Sequence, residues 1–433
     1  MYDANRLLLR FYNEKLRLGR EGRIKLAGLR DTNLDRLKSG LEKLGPIQGA
    51  TKAGFESRLD QGSYAMHTLN QHPDGDYDID TAVVFDAAAL PSSALDARKR
   101  VADALLQSSS GFLRDPEPRT NAVTVWYSEG HHVDLAIYRE TADGRLEHAG
   151  PDWTERDPTA VTDWFKERVE ELSPYWFIDV GPKQLRRIVR FVKRFCASRR
   201  SWSLPGGMIT TALVAEVFVP DRLRDDVALR KTLCALRDRL ALDQRVASPI
   251  DGTQELTGKP HTDGQVRRLK KRLDEILPKH DVLDESSCGE DDARSAWNAV
   301  FRHDFFVAQR ASKSERPSSV KVSIAIAQTE GGRVRERRYR ADEPPLPKDV
   351  WLRFEVGHTL QRRDVVRWIV QNDGDEAEAA DDMGHTKEGR DLVTWRHTAY
   401  RGDSVEGDPN RGENRGNREG SWPITKACLL AAW

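Results

Sequence analysis

The sequence predicts an α+β fold followed by a separate β-rich domain towards the C-terminal end. Three changes of hydrophobic pattern along the 433 residues support this prediction. Helical spacing of apolar residues dominates the start of the chain and again the region from about residue 161 to 300. Short β-branched runs bounded by turn residues, which are typical of strands, lie between these helical regions. Beyond Glu315 the pattern switches to period two, the spacing of a half-buried strand.

The first region combines helices with strands. Residues 3–45 have the periodicity of two helices, clearest at four leucines between positions 34 and 44. The apolar run at 83–85 predicts a buried strand, and residues 92–107 predict a further helix. Alternating apolar residues on both sides of a glycine turn predict a β-hairpin over residues 119–140.

The second region is predicted to be helical and the third to be built from strands. The predicted helices are 161–172, 183–198, 209–218, 223–242, 263–277 and one around Trp297. The polar stretch 280–295 is predicted to be an exposed loop. The predicted strands of the C-terminal domain are 320–328, 350–356 and 365–371. Residues 401–433, rich in Gly, Asn and Arg, are predicted to be a flexible tail that packs no strand.

Charge balance and hydropathy exclude several classes of protein. The chain has 69 Lys+Arg and 69 Asp+Glu, and a net charge of 0 excludes attachment to nucleic acid mainly by bulk charge. No run approaches the roughly 18 apolar residues of a membrane helix, and charges are scattered through the first twenty residues. The four cysteines lie far apart without metal-binding spacing, which is typical of incidental thiols. We therefore predict a cytoplasmic protein with no membrane partner and no stable nucleic-acid partner.

Three aspartates lie in two apolar segments of the first region. Asp78 and Asp80 stand two residues apart at the head of the predicted buried strand, and Asp134 lies inside the second strand of the hairpin. Residues two apart on a strand point to the same face, roughly 7 Å apart at the backbone, so Asp78 and Asp80 project into one pocket. If the two strands pair side by side, Asp134 completes the set.

Converging carboxylates repel one another unless a cation lies between them. The pattern therefore predicts two divalent ions as cofactors, Mg²⁺ or Mn²⁺ in its place, held by carboxylate oxygens. Two such ions about 4 Å apart activate a ribose hydroxyl and stabilise a departing pyrophosphate. Gly62 and Ser63, ahead of a predicted helix, supply a flexible backbone, N–H groups and a hydroxyl for a triphosphate. Together these features predict a metal-dependent nucleotidyltransferase.

At these residues the sequence resembles the bacterial CD-NTases, the DncV-like nucleotidyltransferases related to cyclic GMP-AMP synthase and oligoadenylate synthase that act in CBASS anti-phage defence. The resemblance lies in QGSYAMHTLN, DYDID and HHVDLAIY, and with flanking blocks it extends over about residues 50–260. It implies a polymerase-β-like nucleotidyltransferase palm over residues 1–180 and a helical second lobe over 181–314 that completes the nucleotide cleft. Residues 315–433 resemble the β-rich sensor-like domain of some of these synthases, through WIVQNDGDEA and TWRHTAYRG.

The resemblance also implies the chemistry. Nucleoside triphosphates, ATP and/or GTP, are joined into a cyclic di- or trinucleotide that a separately encoded effector binds. Asp78, Asp80 and Asp134 match the family's catalytic metal ligands, and Asp134 is expected to align or deprotonate the attacking hydroxyl. Gly62 and Ser63 match its triphosphate loop.

Residues 183–200 form a predicted basic helix next to this site. Lys193 matches by position the basic residue that reaches the donor phosphates in this family, while a solvated basic face is the alternative interpretation of the whole segment. His131 and His132 stand beside Asp134. Packing or hydrogen bonding is favoured for these histidines over a role as general base.

Two other functions compete with a cyclic oligonucleotide synthase. The same site would serve an enzyme that makes linear oligonucleotides or transfers a nucleotide to RNA or another acceptor, although a net charge of 0 disfavours a long nucleic-acid acceptor. The other alternative is an inactive nucleotide sensor, which the presence of all three carboxylates disfavours. Base, ring size and linkage depend on side chains of the cleft that the sequence does not place.

Overall fold

The computed structural model divides the described part of the chain into two compact units. The first comprises Met1–Ser173 and Gln184–Asp304, and the second comprises Pro174–Lys183 and Phe305–Trp433. The described residues are 1–48, 50, 52–72, 78–108, 112–172, 183–307, 322–332, 350–356, 365–371, 384–397 and 428–432. Among them, no helix combines the length and the apolar character that crossing a membrane requires.

The described residues of the first unit form one mixed sheet of seven strands. The strands are β1 (Ser57–Gln61), β2 (Asp78–Asp86), β3 (Glu117–Pro118), β4 (Val123–Trp126), β5 (His132–Glu140), β6 (Leu146–Ala149) and β7 (Trp153–Glu155). Their order is β1-β2-β5-β4-β3, and β6 pairs with both β5 and β7. The central strands β2 and β5 run parallel, while β1 and β4 flank them in antiparallel orientation. The predicted strand at 83–85 and the predicted hairpin are thereby confirmed.

Ten α-helices lie among the described residues of the first unit. They are α1 (Asn5–Phe11), α2 (Arg20–Leu44), α3 (Gly62–Ala65), α4 (Ala94–Ser108), α5 (Ala160–Leu172), α6 (Gln184–Cys196), α7 (Gly207–Val217), α8 (Asp225–Leu242), α9 (Pro260–Ile276) and α10 (Glu290–Phe301). The predicted helices of this unit are confirmed, and from α4 to α9 each end lies within three residues of its predicted position. A π-helical turn, Tyr12–Leu16, joins α1 to the loop before α2.

The two faces of the sheet differ in chemistry because side chains alternate along each strand. Ile79 and Val83 of β2, with Val133 and Leu135 of β5, point towards α2 and α4 and form the main apolar core with them. The opposite face starts with polar side chains at the N-terminal ends of β2 and β5. Farther along, it is covered by a small apolar cluster that includes Val84. The polar end of this second face therefore lies outside the main core.

Helix α6 lies at the centre of the helical part of the first unit. Its apolar side chains are buried against the neighbouring helices α5, α7, α8 and α10. Arg187 of α6 is also buried and forms an ion pair with Asp225 of α8, with 2.6 Å between Nε and Oδ2. Separating the two charges would leave each of them buried without compensation. The pair therefore fixes the rotation of α6 about its axis.

The prediction of an exposed loop over residues 280–295 was wrong for most of the segment. Leu277–Asp284 forms a 3₁₀-helix in which His280 and Leu283 are buried, and α10 begins at Glu290. A 3₁₀-helix repeats every three residues and this one is short, so it produces no 3.6-residue periodicity that a helical pattern search would detect.

The second unit is built from strands in its described residues. These strands are β8 (Val322–Ala327), β9 (Trp351–Val356), β10 (Val365–Gln371), β11 (Gly384–Gly389), β12 (Val393–His397) and β13 (Cys428–Ala432). They form two three-stranded sheets, ordered β12-β9-β8 and β11-β10-β13. The three strands predicted for this region are confirmed as β8, β9 and β10.

The prediction that residues 401–433 pack no strand was wrong at the end of that segment. Strand β13 pairs antiparallel with β10 over Val365 to Ile369. Its sequence, CLLAA, is apolar, whereas the composition that led to the prediction averages over the Gly, Asn and Arg residues before it. Residues 401–427 of the predicted tail lie outside the described residues.

Candidate active site

The three predicted carboxylates lie at the polar end of the sheet's second face. In the parallel register of β2 and β5, Asp80 is directly opposite Asp134 and Asp78 is directly opposite His132. Directly paired residues of neighbouring strands share a face, and so do residues two apart. The register therefore places all four side chains on one side of the sheet, as the aspartate spacing predicts.

Mutual repulsion and burial disfavour the ionised forms of these aspartates. Burial, and then the charges of Asp78 and Asp134, raise the pKa of Asp80 to about 8. Burial is also the main cause that raises the pKa of Asp78, followed by Asp134, while His132 and Lys193 act in the opposite direction. A group of acids that resists ionisation in this way is stabilised when a cation joins it.

The donor set fits a divalent cation. Ligand atoms of Asp78, His132 and Asp134 all lie within 4.8 Å of one another. One oxygen of Asp134 is already fixed, because the Thr124 hydroxyl donates a hydrogen bond to Oδ1 at 2.5 Å. Carboxylate oxygens are the ligands that Mg²⁺ and Mn²⁺ prefer. Asp80, on the same face, supplies a further carboxylate.

Gly62 is in direct contact with this carboxylate group. It begins the short helix α3 with a φ of +64°, a left-handed conformation that favours glycine. A Cβ placed on Gly62 would overlap with Oδ2 of Asp80. Ser63 follows in the same turn of helix, so the predicted triphosphate loop and the predicted metal ligands are brought together.

Gln61 fixes the strand end from which this loop starts. Its side-chain amide donates to the backbone oxygen of Pro158 at 2.7 Å and to the hydroxyl of Tyr138 at 3.4 Å. The residue lies opposite Asp80 in the antiparallel register of β1 and β2. Gln61 thereby connects three parts of the cavity wall.

Lys193 of α6 faces the carboxylates from the helical side. Its ammonium group donates a hydrogen bond to the backbone oxygen of Thr68 at 3.1 Å. Burial lowers the pKa of Lys193 to about 8, and the charges of Asp78 and Asp80 act against this shift. Gly207, at the start of α7, lies close to the end of the lysine side chain, since a Cβ there would be 3.6 Å from Nζ.

The alternative of a solvated basic face is wrong for much of the segment around Lys193. Lys183, Arg187 and Arg190 are all buried, each less than 9% exposed. Arg190 donates a hydrogen bond to the hydroxyl of Tyr12. The side chains of Arg187 and Arg190 therefore belong to the packing of the helical part.

One cavity of about 680 Å³ contains all six predicted site residues. This volume lies within the usual range for ligand pockets. The cavity is formed within the first unit alone, between the polar end of the sheet, α3 and the helices α5, α6 and α7. The residues brought together are Gly62, Ser63, Asp78, Asp80, Asp134 and Lys193.

The two neighbouring histidines have different environments. His131 stacks on the ring of Tyr127 at 5.4 Å, and Tyr127 accepts a hydrogen bond from Asn33 of α2, so His131 packs on the helix-covered side. His132 instead lies beside Asp134, with 3.4 Å between Nε2 and Oδ2. The packing role favoured from sequence describes His131. The proximity of His132 to two carboxylates was missed, and the alternation of side chains along HHVD was the signal that separates the two.

Two models of known protein families match segments of the chain. The family model described as "Cyclic GMP-AMP synthase DncV-like, nucleotidyltransferase domain" matches residues 57–138, which run from β1 to Tyr138 and include the three aspartates. These residues are similar to the nucleotidyltransferase domain of DncV-like cyclic GMP-AMP synthases. Residues 297–405 match the model "Adenylyl/Guanylyl and SMODS C-terminal sensor domain". The resemblance to CD-NTases with a C-terminal sensor domain is thus confirmed over these two segments.

Relatives of the DncV-like domain support the same fold. A cyclic GMP-AMP synthase of Escherichia albertii is 26% identical over 197 residues, which cover 44% of this chain and 42% of that protein. The crystal structure of Vibrio cholerae DncV with the linear intermediate pppA(3′,5′)pG has a TM-score of 0.55 at 19% identity, covering 72% of this chain and 98% of that chain. Escherichia coli MS115-1 CdnC with ATP has a TM-score of 0.51 at 16% identity, covering 70% and 98%. The predicted α+β fold with a polymerase-β-like palm is confirmed.

Proposed function

We propose that this protein is a divalent-cation-dependent nucleotidyltransferase that joins nucleoside triphosphates into a cyclic di- or trinucleotide and releases pyrophosphate at each step. The observation that carries the proposal is the convergence of Asp78, Asp80 and Asp134 on one face of the sheet, beside Gly62 and inside a cavity of about 680 Å³. The match of residues 57–138 to the DncV-like nucleotidyltransferase model supports it.

The three aspartates are proposed to hold two Mg²⁺ ions, or Mn²⁺ in their place. When bound, such ions lower the pKa of an attacking hydroxyl and neutralise a leaving pyrophosphate. Asp134 is the residue proposed to align or deprotonate the ribose hydroxyl, because Thr124 fixes its orientation through the hydrogen bond to Oδ1. The hydrogen bond engages Oδ1, so Oδ2, which lies 3.4 Å from Nε2 of His132, is the oxygen proposed to act on the hydroxyl.

Gly62, Ser63 and Lys193 are proposed to hold the triphosphate. The absence of a side chain at Gly62 lets the backbone approach the carboxylates, and the Ser63 hydroxyl adds a donor at the same turn. Lys193 brings a cation to the cavity from the opposite side. A buried ammonium that makes one neutral hydrogen bond gains a charged partner when phosphate enters, and hydrogen bonds between charged groups are about twice as strong as neutral ones.

ATP and GTP are the proposed substrates. The DncV structure named above contains the linear intermediate pppA(3′,5′)pG, other Vibrio cholerae DncV structures contain GTP or ATP and GTP together, and the CdnC structure contains ATP. The CD-NTase resemblance implies that the product is a second messenger, made in the cytoplasm for anti-phage defence. A separately encoded effector would bind it. A linear oligonucleotide, or transfer to another acceptor, would use the same site.

Product analysis tests this function directly. The full chain is incubated with all four labelled nucleoside triphosphates and Mg²⁺ or Mn²⁺, treated with phosphatase and examined by mass spectrometry. We expect a phosphatase-resistant product with the mass of a cyclic di- or trinucleotide. Phosphatase-sensitive products would replace the cyclic assignment with linear synthesis. No product with either ion, although nucleotide binds, would favour an inactive sensor.

A further inference from the structure

His132 lies in a group of potential metal ligands that the aspartate pattern alone does not predict. Among the described residues, Asp78, His132 and Asp134 are the set whose ligand atoms all lie within 4.8 Å of one another. We propose that His132 is a direct ligand of one divalent cation, together with Asp78 and Asp134, and that its nitrogen favours a first-row transition ion such as Mn²⁺ over Mg²⁺ at that position. This inference rests on the proposed function, because it concerns one cation of the same site.

The backbone places His132 where a third ligand is needed. Asp78 and His132 are directly opposite each other on the parallel strands β2 and β5, and Asp134 is two residues farther along β5. Neighbouring strands are about 4.8 Å apart, and residues on one face recur about every 7 Å along a strand. The three side chains therefore start from the corners of a small triangle, and their ligand atoms already lie within 4.8 Å of one another.

Neighbouring side chains fix both His132 and Asp134 in orientation. The His132 ring lies against the indole of Trp126, its antiparallel partner on β4, with 4.9 Å between ring centroids and 33° between planes. The guanidinium of Arg114 lies 3.8 Å from the Trp126 centroid. Because the Thr124 hydroxyl occupies Oδ1 of Asp134, the other oxygen of that carboxylate faces His132 at 3.4 Å from Nε2. Such outer contacts preorganise a metal ligand.

The chemistry of the ligand atoms determines which ion binds more tightly. Mg²⁺ takes oxygen ligands in near-ideal octahedral geometry and retains several waters. Imidazole nitrogen binds first-row transition ions well, and affinity for a mixed nitrogen and oxygen set rises from Mn²⁺ onwards along the series. Two carboxylates and one imidazole therefore favour Mn²⁺ relative to Mg²⁺, whereas three carboxylates alone would not.

The test uses Mn²⁺ alone, added to the full chain at sub-stoichiometric concentration. Electron spin echo spectroscopy detects the ¹⁴N nucleus of an imidazole bound directly to Mn²⁺, and titration of free Mn²⁺ by electron paramagnetic resonance gives the affinity. We expect ¹⁴N modulation in the parent protein and its loss in H132Q, with Mn²⁺ affinity reduced about tenfold or more. Mg²⁺ affinity, measured by competition, should change less than Mn²⁺ affinity. The matched control, H131Q, removes the adjacent imidazole that stacks on Tyr127 and should retain the modulation.

Several results would overturn the proposal. These are Mn²⁺ bound to the parent protein without ¹⁴N modulation, unchanged modulation and affinity in H132Q, or no binding of Mn²⁺ to the parent protein at all. The proposed function is scored separately, by product formation from the four nucleoside triphosphates. If the parent protein forms product but shows no ¹⁴N modulation, the proposed function stands and only the role of His132 as a ligand is contradicted.

Discussion

The carboxylate of Asp80 lies against the α-carbon of Gly62, in space that any side chain at position 62 would fill. The preceding residue, Gln61, pairs with Asp80 across β1 and β2. The loop proposed to hold the triphosphate and the strand proposed to hold the cations are therefore in contact at one point. Glycine is required there for two separate reasons, the left-handed φ of +64° and the closeness of the carboxylate.

Replacing Gly62 by alanine should abolish most turnover and weaken ATP binding, because the added methyl group displaces Asp80. The control is G144A, where φ is also positive, at +79°, but no atom lies within 4 Å of the added Cβ. G144A thus measures backbone strain alone, which costs about 1–3 kcal/mol. Calorimetric ATP binding and thermal unfolding of both variants provide the comparison. If G62A binds ATP as well as G144A does, the contact with Asp80 has no functional role.

The contribution of Asp80 to the stability of the metal-free protein should fall as pH rises from about 4 to 8. The pKa of Asp80 is raised from 3.8 to about 8 by folding, so in this range the folded state binds more protons than the unfolded state. Divalent ions compete with those protons, and Mg²⁺ should therefore raise the Tm more at pH 8 than at pH 5.5.

The D80N variant isolates the contribution of this carboxylate. Its stability should depend less on pH than that of the parent protein, and Mg²⁺ should raise its Tm by a smaller amount. D86N, at the exposed far end of the same strand, should behave like the parent protein. Equal Mg²⁺-induced increases in Tm for D80N and the parent protein would contradict the assignment of Asp80 to the cation site.

Substituting Lys193 by methionine should raise the KM for nucleoside triphosphate about tenfold or more, since a hydrogen bond to a charged group contributes roughly 1.5–3 kcal/mol. The methionine side chain keeps most of the apolar contacts of the lysine. K270M is the control, because Lys270 pairs with Asp274 on α9 and lies outside the cavity lining. Steady-state kinetics that show an unchanged KM for K193M would contradict a role in phosphate binding.

His280 should make the fold sensitive to acid. Burial lowers the pKa of His280 from 6.5 to about 4, while its ring N–H donates to the backbone oxygen of Ala296 at 3.1 Å. The stability that the neutral form provides is present above pH 6.5 and is lost as pH falls towards 4, a change on the order of 3 kcal/mol. Urea unfolding between pH 4.5 and 7 should show a weaker pH dependence for H280Q than for H261Q, which alters an exposed histidine. Equal slopes for the two variants would contradict this assignment.

The convergence of the three aspartates was predictable from sequence because strand geometry is regular. Asp78 and Asp80 had to share a face, and Asp134 needed only a neighbouring strand to join them. Alternation along HHVD also places His132 on the face of Asp134, but its contacts with Asp78 and with the ring of Trp126 depend on how the strands pair. Local pattern carries no information about either contact.

The same distinction between local and long-range information explains the errors in the fold. The strand Cys428–Ala432 is formed by pairing with β10, about sixty residues earlier in the chain, so the composition around it gave no sign of it. His280 and Leu283 are buried by tertiary packing within a 3₁₀-helix, in a segment whose charge suggests exposure. Conversely, helices with a clear apolar stripe, such as α6 and α9, could be predicted, because the stripe repeats at 3.6 residues.

Pyrophosphate release tests the central claim most directly, because every transfer of a nucleotidyl group liberates one pyrophosphate whatever the product. It is quantified for the parent protein, D78N, D80N and the control D86N, with ATP, GTP and Mg²⁺ or Mn²⁺, alongside circular dichroism to verify folding. We predict continuous release by the parent protein and D86N, and none above background by the folded D78N and D80N variants. Release at the parent rate by either folded variant would contradict the assignment of this carboxylate face as the catalytic centre.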